Sequence, residues 1–390
     1  MYLKAKQRTV AIVAGEASGD MHGASLVLAL KKLDPTLRFY GVGGEKMRSA
    51  GVELLADSAE MAVVGLTEVF FKLPFILKVL RRLQDSFRRR RPEVVILVDY
   101  PDFNLRLAKA AHAQGLKVFY YISPQVWAWR KGRIDKIRAF VDKIAVILPF
   151  EVPLYREAGV EAVFVGHPLL DTIPARPAAD AARRKIGLQE GTPIVALLPG
   201  SRRSEVAKLL PVCLEAAARM QAQMGHQGAI QFVLPLASTL SRDFITATLG
   251  SSRQEIKVVA DSLYECLAAA DLAIVASGTA TLETALMGTP MIIIYKVSRL
   301  SYLIGRACIR VKNIGLANII AGQTVAPELI QDEANPHRLA ELAGELLSNP
   351  ARRAAMTAEF AQIREKLGQA GAAARTARLV YDMLGHAGAC

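Results

Sequence analysis

The first half of the chain alternates short apolar runs with longer stretches whose apolar residues recur at helical spacing. Several of the runs are apolar at consecutive rather than alternate positions, which indicates strands that are buried on both faces. Strands of this kind, separated by helices, predict a parallel sheet covered by helices on both sides. The runs are Val10–Ala14, Arg38–Gly41, Glu93–Val98, Leu116–Ile122, Lys143–Leu148 and Ala162–Val165.

The same alternation restarts after Pro174–Asp180, a segment that is rich in Pro and Ala and has no strand character. We therefore place a domain boundary between about residues 170 and 190. The pattern predicts a second α/β domain over residues 185–350, after a first domain over residues 1–175. The tail from Pro350 onward is rich in Ala and is predicted to be helical. The later runs are Pro193–Leu198, Gln231–Leu236, Ile256–Val259, Leu272–Ala276 and Met291–Tyr295.

Composition and charge narrow the class of protein. The 390 residues are 52% hydrophobic and 22% charged, which is typical of a globular protein of two domains. The net charge of +13 favours an anionic partner, which can be nucleic acid, a phosphorylated ligand or an anionic membrane. The four cysteines are widely spaced and include no Cys-x-x-Cys pair, which argues against a disulfide framework or a zinc site. No stretch reaches the ~20 apolar residues of a membrane span, so we expect a soluble or peripheral protein.

Polar and small residues follow the predicted strands of the first domain, at the end of a parallel sheet where ligands bind. Gly15–Asp20 suits close approach of an anion to a helix N-terminus, or equally an ordinary capped turn. Asp99 ends its strand where a general base would lie, although a helix cap is an equal alternative. Trp127 lies among aromatic and cationic residues that suit a sugar or a phosphate, or packing between domains. His167 should lie near the ligand, but a lone His is more often structural.

Two loops of the second domain suit a diphosphate. Leu198–Glu205 combines a Gly-Ser turn with arginines that can bind phosphate. Ala276–Glu283 leads small, hydroxyl-bearing residues into a helix, whose free N–H groups favour an anion. Glu283 can accept both ribose hydroxyls. No Asp-x-Asp pair is present, so the sequence does not support a divalent metal at the diphosphate.

A further segment combines large apolar residues with arginines. Met61–Leu80 is apolar over most of its length, and Arg81–Arg91 contains six arginines. Such a combination predicts docking on an anionic membrane or a groove for acyl chains. The alternative is a core helix with a basic solvated end, although Pro74 interrupts a simple helix.

Taken together, these motifs resemble the lipid-A-disaccharide synthases, which are bacterial glycosyltransferases of the GT-B type. They occur in the order of that family from Val10 to about residue 330, and the ordered set is specific although each motif alone is weak. Tyr100 is a departure, because the family often has a small residue there. The matching motifs are Gly15–Asp20, Asp99–Asn104, Ser123–Arg130, Gly166–Pro168, Leu198–Arg202, Ser277–Glu283 and Leu316–Ile320.

The resemblance implies an α/β fold of two Rossmann-like domains facing a central cleft, with a C-terminal helix over about 353–384 that returns to the first domain. It implies that UDP-2,3-diacylglucosamine and 2,3-diacylglucosamine 1-phosphate are joined into a β-1,6-linked disaccharide 1-phosphate. The reaction inverts the anomeric carbon and uses neither a metal nor a cofactor. The enzyme would be cytoplasmic and peripheral on the inner face of the cytoplasmic membrane. A homodimer is left open.

The resemblance also assigns roles to single residues. Asp99 matches the family's candidate base, Arg202 matches a residue implicated at the diphosphate, and Asn318 matches one needed for activity. Glu283 matches the ribose-binding acid of related transferases. The remaining residues expected to bind substrate are Glu16, Ser18, Gln125, Trp127, His167, Ser201, Ser277, Gly278, Thr279 and Thr281.

Three alternatives remain beside this interpretation. A UDP-N-acetylglucosamine 2-epimerase has the same two-domain architecture but does not need the apolar segment Met61–Leu80. Another GT-B transferase acting on a lipid-linked substrate would also suit a basic protein with such a segment. A nucleic-acid binder would account for the charge, but the acidic loops and the absence of a binding-module signature disfavour it.

Overall fold

The computed structural model describes most of the chain, and it divides into two compact units. The first unit comprises Met1–Asp171 and Leu367–Cys390, and the second comprises Thr172–Lys366. Among the described residues, no helix combines the length and the apolar character that are needed to cross a bilayer. The residues described are 8–61, 66–124, 126–127, 132–224, 229–250, 254–298, 302 and 312–385, without the side chains of 66–72 and 224.

The described strands of the first unit form one parallel sheet in the order β3-β2-β1-β4-β5-β6-β7. These strands are β1 (Thr9–Ala14), β2 (Arg38–Gly43), β3 (Val52–Asp57), β4 (Val94–Val98), β5 (Lys117–Tyr121), β6 (Lys143–Val146) and β7 (Ala162–Phe164). The helices between them are α1 (Ala17–Leu33), α2 (Glu45–Ser49), α3 (Ser58–Met61), α4 (Leu66–Arg90), α5 (Pro101–His112), α6 (Gly132–Phe140), α7 (Glu151–Glu157) and α8 (Leu169–Thr172).

Strand β4 illustrates why the central runs are apolar at every position. Val95 and Leu97 pack on one side of the sheet in a cluster that includes Phe87 of α4. Ile96 pairs with Ile12 of β1 and packs on the other side, in the cluster that includes α1. Both faces of the strand are thus buried, which is the arrangement that its sequence predicts.

The second unit repeats this architecture, with its described strands in the order β10-β9-β8-β11-β12-β13. Each neighbouring pair of these strands is parallel. The strands are β8 (Ile194–Leu198), β9 (Gln231–Leu236), β10 (Ile256–Ala260), β11 (Leu272–Ala276), β12 (Met291–Tyr295) and β13 (Glu328–Ile330). The described helices are α9 (Ala179–Lys185), α10 (Arg203–Met224), α11 (Arg242–Leu249), α12 (Leu263–Ala269), α13 (Thr279–Leu286), α14 (Leu316–Ala321), α15 (Pro336–Leu347) and α16 (Pro350–Lys366).

The C-terminal segment predicted as one helix over about 353–384 is two helices in the structure, so that expectation was wrong in this respect. Helix α16 ends at Lys366 in the second unit, and α17 (Ala372–Met383) lies in the first unit. Gly368 and Gly371, both with positive φ, lie in the connection and end the helical path there. Val380 of α17 joins the same buried cluster as α1 and β1.

The strand order of each sheet positions the loops that carry the predicted chemistry. Successive strands are added toward one edge of the sheet up to β3 and then toward the other edge from β4, so the strand order switches between β1 and β4; in the second unit it switches between β8 and β11. Ligands of open parallel sheets bind outside the carboxyl ends of strands at such a point. Asp99 follows β4, Arg202 follows β8, and Ser277 follows β11, so each lies at the predicted edge of its own sheet.

Candidate active site

Asp99 is held at the end of β4 by an unusual backbone. Asp99 and Tyr100 both have φ of 47°, in the left-handed region that residues other than Gly adopt only when their surroundings require it. The carbonyl oxygen of Asp99 accepts hydrogen bonds of 2.6 Å from the amide of Asn104 and the hydroxyl of Tyr120. These bonds fix where the carboxyl group of Asp99 lies.

The surroundings of Asp99 make its carboxyl group a better proton acceptor. Burial and, to a smaller extent, the nearby carboxylate of Glu16 raise its pKa from 3.8 to about 6. The backbone N–H of Tyr100 and the guanidinium of Arg133 act in the opposite direction but are weaker. A carboxyl with a pKa near 6 is ionised at neutral pH and holds a proton more strongly than an exposed one, as a general base must.

Tyr100, the departure from the family pattern, shapes the loop after β1. Its ring lies against the backbone of Gly15, where a Cβ atom would be 2.3 Å from the Tyr100 Cδ1 atom. The Tyr100 hydroxyl donates to the carbonyl oxygen of Met61 at 3.1 Å. Gly15 is therefore required because the ring of Tyr100 approaches so closely.

A cavity of about 210 Å³ in the first unit is lined by Asp99, Arg133 and Glu151. Glu151 is buried, and its Oε1 atom accepts from the Ser123 hydroxyl at 2.7 Å and from the Trp127 indole N–H at 3.2 Å. Burial raises its pKa to about 7. Glu151 was not predicted as a site residue, because an acidic residue in the first turn of a helix is common and carries no distinguishing sequence signal.

The other site residues predicted for the first unit differ in exposure and in the contacts that they make. Glu16 and Ser18 are exposed at the start of α1, next to the end of β1. Trp127 donates to Glu151 and meets the ring of Phe150 edge-on at 5.4 Å, so its described contacts support the fold. Gln125 lies outside the described residues.

His167 is buried in the turn that follows β7. Its Nδ1 atom accepts a hydrogen bond of 3.2 Å from the backbone N–H of Leu169. Burial and, to a smaller extent, nearby His22 lower its pKa to about 3. The imidazole is therefore neutral at physiological pH and orders this turn.

The second unit brings most of its predicted residues together around a cavity of about 310 Å³, which we call the donor cavity. Its walls come from the loops after β8, β9 and β11 and from the first turns of α13. Thr281 does not line it, because that side chain is buried and donates to the Gly278 carbonyl at 2.8 Å. The predicted residues that line it are Ser201, Arg202, Ser277, Gly278, Thr279 and Glu283.

Arg202 is oriented by Glu205, a residue that the sequence analysis did not single out. One oxygen of Glu205 accepts from Arg202 Nη1 at 2.6 Å, and the other accepts from the backbone N–H groups of Ser201 and Arg202. Gly200 has φ of 121°, and a Cβ atom there would lie 2.7 Å from the Glu205 carboxylate. The Arg202 side chain is nevertheless 62% exposed, so its guanidinium is accessible to a ligand.

Glu283 lies one turn into α13 with its carboxyl group largely buried. Burial raises its pKa, while the Tyr264 hydroxyl, which donates to Oε1 at 3.2 Å, lowers it. Oε2 has no partner within the described part of the chain. A buried carboxylate with one free oxygen at the wall of the donor cavity is suited to accept hydrogen bonds from ligand hydroxyls.

Asn318 is fully buried in α14 rather than exposed at the donor cavity. Its Nδ2 atom donates to the Ala326 carbonyl at 2.7 Å and to Glu328 Oε1 at 2.8 Å. Its Oδ1 atom accepts from the backbone N–H groups of Val325 and Ala326. Both donors and both acceptor positions of this amide are therefore used within the fold.

Solved structures with the same architecture share little sequence with this chain. The calicheamicin glycosyltransferase CalG4 superposes with a TM-score of 0.61 at 15% identity, over 98% of this chain and all of the other. A putative UDP-N-acetylglucosamine 2-epimerase from Listeria monocytogenes gives 0.62 at 16% identity, over 97% and 96% of the two chains. These likenesses show the fold, which is the GT-B type predicted from the sequence.

Full-length sequence comparison distinguishes the families that share this fold. A family model described as Lipid-A-disaccharide synthetase matches residues 10–380. The lipid-A-disaccharide synthase of Syntrophus aciditrophicus is 54% identical, over 97% of this chain and 98% of its own length. That of Geobacter sulfurreducens is 50% identical, over 96% and 97%. The chain therefore belongs to the lipid-A-disaccharide synthase family of glycosyltransferases.

Proposed function

We propose that the chain condenses UDP-2,3-diacylglucosamine with 2,3-diacylglucosamine 1-phosphate, giving a β-1,6-linked disaccharide 1-phosphate and UDP. The observation that carries this proposal is the similarity, over nearly the full length of the chain, to proteins named lipid-A-disaccharide synthase. The two cavities support it, because one unit presents a carboxyl group with a raised pKa and the other a site suited to a nucleotide diphosphate.

The proposed reaction is a single displacement. Asp99 takes the proton of the acceptor 6-hydroxyl as its oxygen attacks the anomeric carbon of the donor. The bond between that carbon and the UDP oxygen breaks on the opposite face, which inverts the anomeric configuration. UDP leaves as an anion and needs charge stabilisation more than a proton, so one base is sufficient.

We assign the donor to the second unit. In this assignment Arg202 and the N–H groups that begin α13 stabilise the diphosphate, and Glu283 accepts hydrogen bonds from the ribose. Among the described residues, no group of three or more His, Cys, Asp or Glu side chains could hold a metal ion. We propose that Asn318 is a positioning residue, which acts through Glu328 on the loop that precedes α14.

A comparison of donors tests this assignment of substrates. We expect the purified chain to use the diacylated donor at least about 10²-fold more efficiently than UDP-N-acetylglucosamine, because the acyl chains add apolar contacts that the smaller sugar cannot make. The rates should be compared as kcat/KM with one diacylated acceptor. Equal efficiency with both donors, or conversion of UDP-N-acetylglucosamine to its 2-epimer, would refute the proposal.

We also propose that α4 docks the chain on the inner face of the cytoplasmic membrane. Leu73 and Leu77 are 39% and 37% exposed and lie one turn apart, with exposed Arg81 one further turn along. Not all of the arginines are available to a membrane. Arg90 binds Glu53 at 2.6 Å, and Arg82 donates to the Leu55 carbonyl at 2.6 Å. The first part of Met61–Leu80 lies outside the described side chains.

Vesicle binding tests this docking face. We expect the variant with Leu73→Glu and Leu77→Glu to bind vesicles of phosphatidylglycerol and phosphatidylethanolamine about tenfold more weakly, because it loses apolar contact and gains repulsion. The matched control changes Leu28 and Leu33 of α1, which are also exposed, to Glu. Unchanged co-sedimentation of the α4 variant, or an equal loss in the control, would contradict docking through α4.

A further inference from the structure

A second cavity of about 410 Å³ adjoins the donor cavity in the second unit, and we call it the basic pocket. It shares Arg202, Glu205 and Ser277 with the donor cavity, but Glu283 and Thr279 line only the donor cavity. The basic pocket is bounded instead by the first turns of α10 and by the segment that follows β12. The residues found only in its wall include Ser204, Lys208, Tyr295 and Lys296.

The charges around the basic pocket are not balanced. The charge of Arg202 is opposed by Glu205, whose carboxylate lies 2.6 Å away. Lys208 is exposed and has no ion-pair partner within the described part of the chain. Lys296 donates to the Ala334 carbonyl at 3.3 Å, which is a neutral partner and leaves its charge uncompensated. Two lysine ammonium groups therefore remain for an anion.

Hydroxyl groups complete a wall that suits phosphate. Ser204 contributes a small donor next to Arg202, and Tyr295 contributes a phenol. Burial and the nearby carboxylate of Glu205 raise the pKa of Tyr295, so its hydroxyl remains protonated and able to donate. Lysine ammonium groups bind phosphate as point charges, and neutral hydroxyls add hydrogen bonds that orient it.

We propose that the basic pocket binds the phosphomonoester of the acceptor sugar, through Lys208 and Lys296. This inference rests on the proposed function, in which the acceptor is the substrate that carries a phosphate separate from the UDP diphosphate. The donor cavity already has its own diphosphate partners, so the unbalanced lysines beside it fit a second anion. The pocket would thus select acceptors that carry a phosphate over those that do not.

Calorimetry with a soluble probe tests the inference directly. Glucosamine 1-phosphate is titrated into protein saturated with UDP, comparing the parent with the double variant Lys208→Met and Lys296→Met. We expect the double variant to bind the probe at least about tenfold more weakly and to keep its affinity for UDP within about twofold. With the diacylated acceptor, KM should rise by about the same factor while kcat changes little.

Two control variants separate the basic pocket from its surroundings. Lys185→Met removes an exposed lysine of the same unit that pairs with Glu265, and probe binding should be unchanged. Glu283→Gln should weaken UDP binding without changing the affinity for the probe at saturating UDP. An unchanged probe affinity in the double lysine variant overturns the inference. A loss of UDP affinity as large as the loss of probe affinity also overturns it, because the pocket would then belong to the donor.

The same measurements distinguish this inference from the proposed function. If the parent forms no disaccharide but binds glucosamine 1-phosphate through the two lysines, the proposed reaction fails and the anion site stands. If the parent forms disaccharide and the double lysine variant keeps the parental acceptor KM, the reaction stands and the inference fails.

Discussion

Replacing Asp99 with Asn is expected to lower kcat by about 10²- to 10⁴-fold, because Asn cannot accept the proton of the acceptor hydroxyl. The fold should tolerate the change, since Asn has the same size as Asp and readily adopts positive φ. The matched control is Asp102→Asn in the first turn of α5, whose 70% exposed side chain does not line the cavity and, as Asn, can still accept from Arg133. We expect the control to keep kcat within about threefold of the parent, and a parental rate in Asp99→Asn would exclude Asp99 as the base.

The raised pKa of Asp99 adds an independent signature in pH. At saturating substrates, kcat of the parent should fall about tenfold per pH unit below about pH 6, as the base becomes protonated. The folded state binds this proton more tightly than the unfolded chain, since the pKa is raised from 3.8 to about 6. Ionisation therefore costs stability as the pH rises through about 6. Asp99→Asn should exceed the parent in unfolding free energy by about 3 kcal/mol near pH 8, and should lose most of that advantage near pH 4.

Asn318→Asp is expected to destabilise the fold by about 3–5 kcal/mol, because it replaces a saturated buried amide with a second carboxyl group beside Glu328. The Nδ2 atom that donates to Glu328 Oε1 at 2.8 Å is lost, and a fully buried carboxyl group then faces the partly buried carboxyl group of Glu328. Urea denaturation measures the loss. Activity should decline because the loop before α14 is no longer held, rather than because a substrate contact is missing.

The same substitution five residues earlier serves as the control. Asn313 Oδ1 accepts from the Thr324 hydroxyl at 2.9 Å, and Asp at this position can still accept that bond. We expect Asn313→Asp to change the unfolding free energy by less than about 1 kcal/mol. If Asn318→Asp abolished activity while keeping the stability of the parent, the positioning role would be wrong, and Asn318 would contact substrate.

The strands could be predicted from the sequence where burial on both faces requires apolar residues. Every strand predicted from an apolar run is present, and the central strands β4, β8 and β11 are apolar throughout because both of their faces are covered. Two edge strands were missed for the opposite reason. Val52–Asp57 is only partly buried and carries acidic residues, and Glu328–Ile330 has three residues. The C-terminal helix over about 353–384 was expected from the family resemblance, which does not show the interruption at Gly368 and Gly371.

The candidate site was predictable where a loop follows a central strand. Asp99, Arg202 and Glu283 could be found in this way, because chain topology alone places such loops at the ligand edge. Glu151 and Glu205 could not, since their importance depends on neighbours that are far from obvious in sequence, such as Ser123 and Trp127 for Glu151. Asn318 was predicted only through the family resemblance. Its positioning role depends on its burial in α14, which the sequence does not show.

The central claim is that this chain joins two acylated sugars by displacement at the donor's anomeric carbon. Product analysis of the purified parent with UDP-2,3-diacylglucosamine and 2,3-diacylglucosamine 1-phosphate tests it most directly, using mass spectrometry for composition and NMR coupling for the linkage. We expect one UDP to be released for each disaccharide 1-phosphate that forms, and we expect its two sugars to be joined by a β-1,6 linkage. An α linkage, release of UDP without disaccharide, or the absence of any product would contradict it.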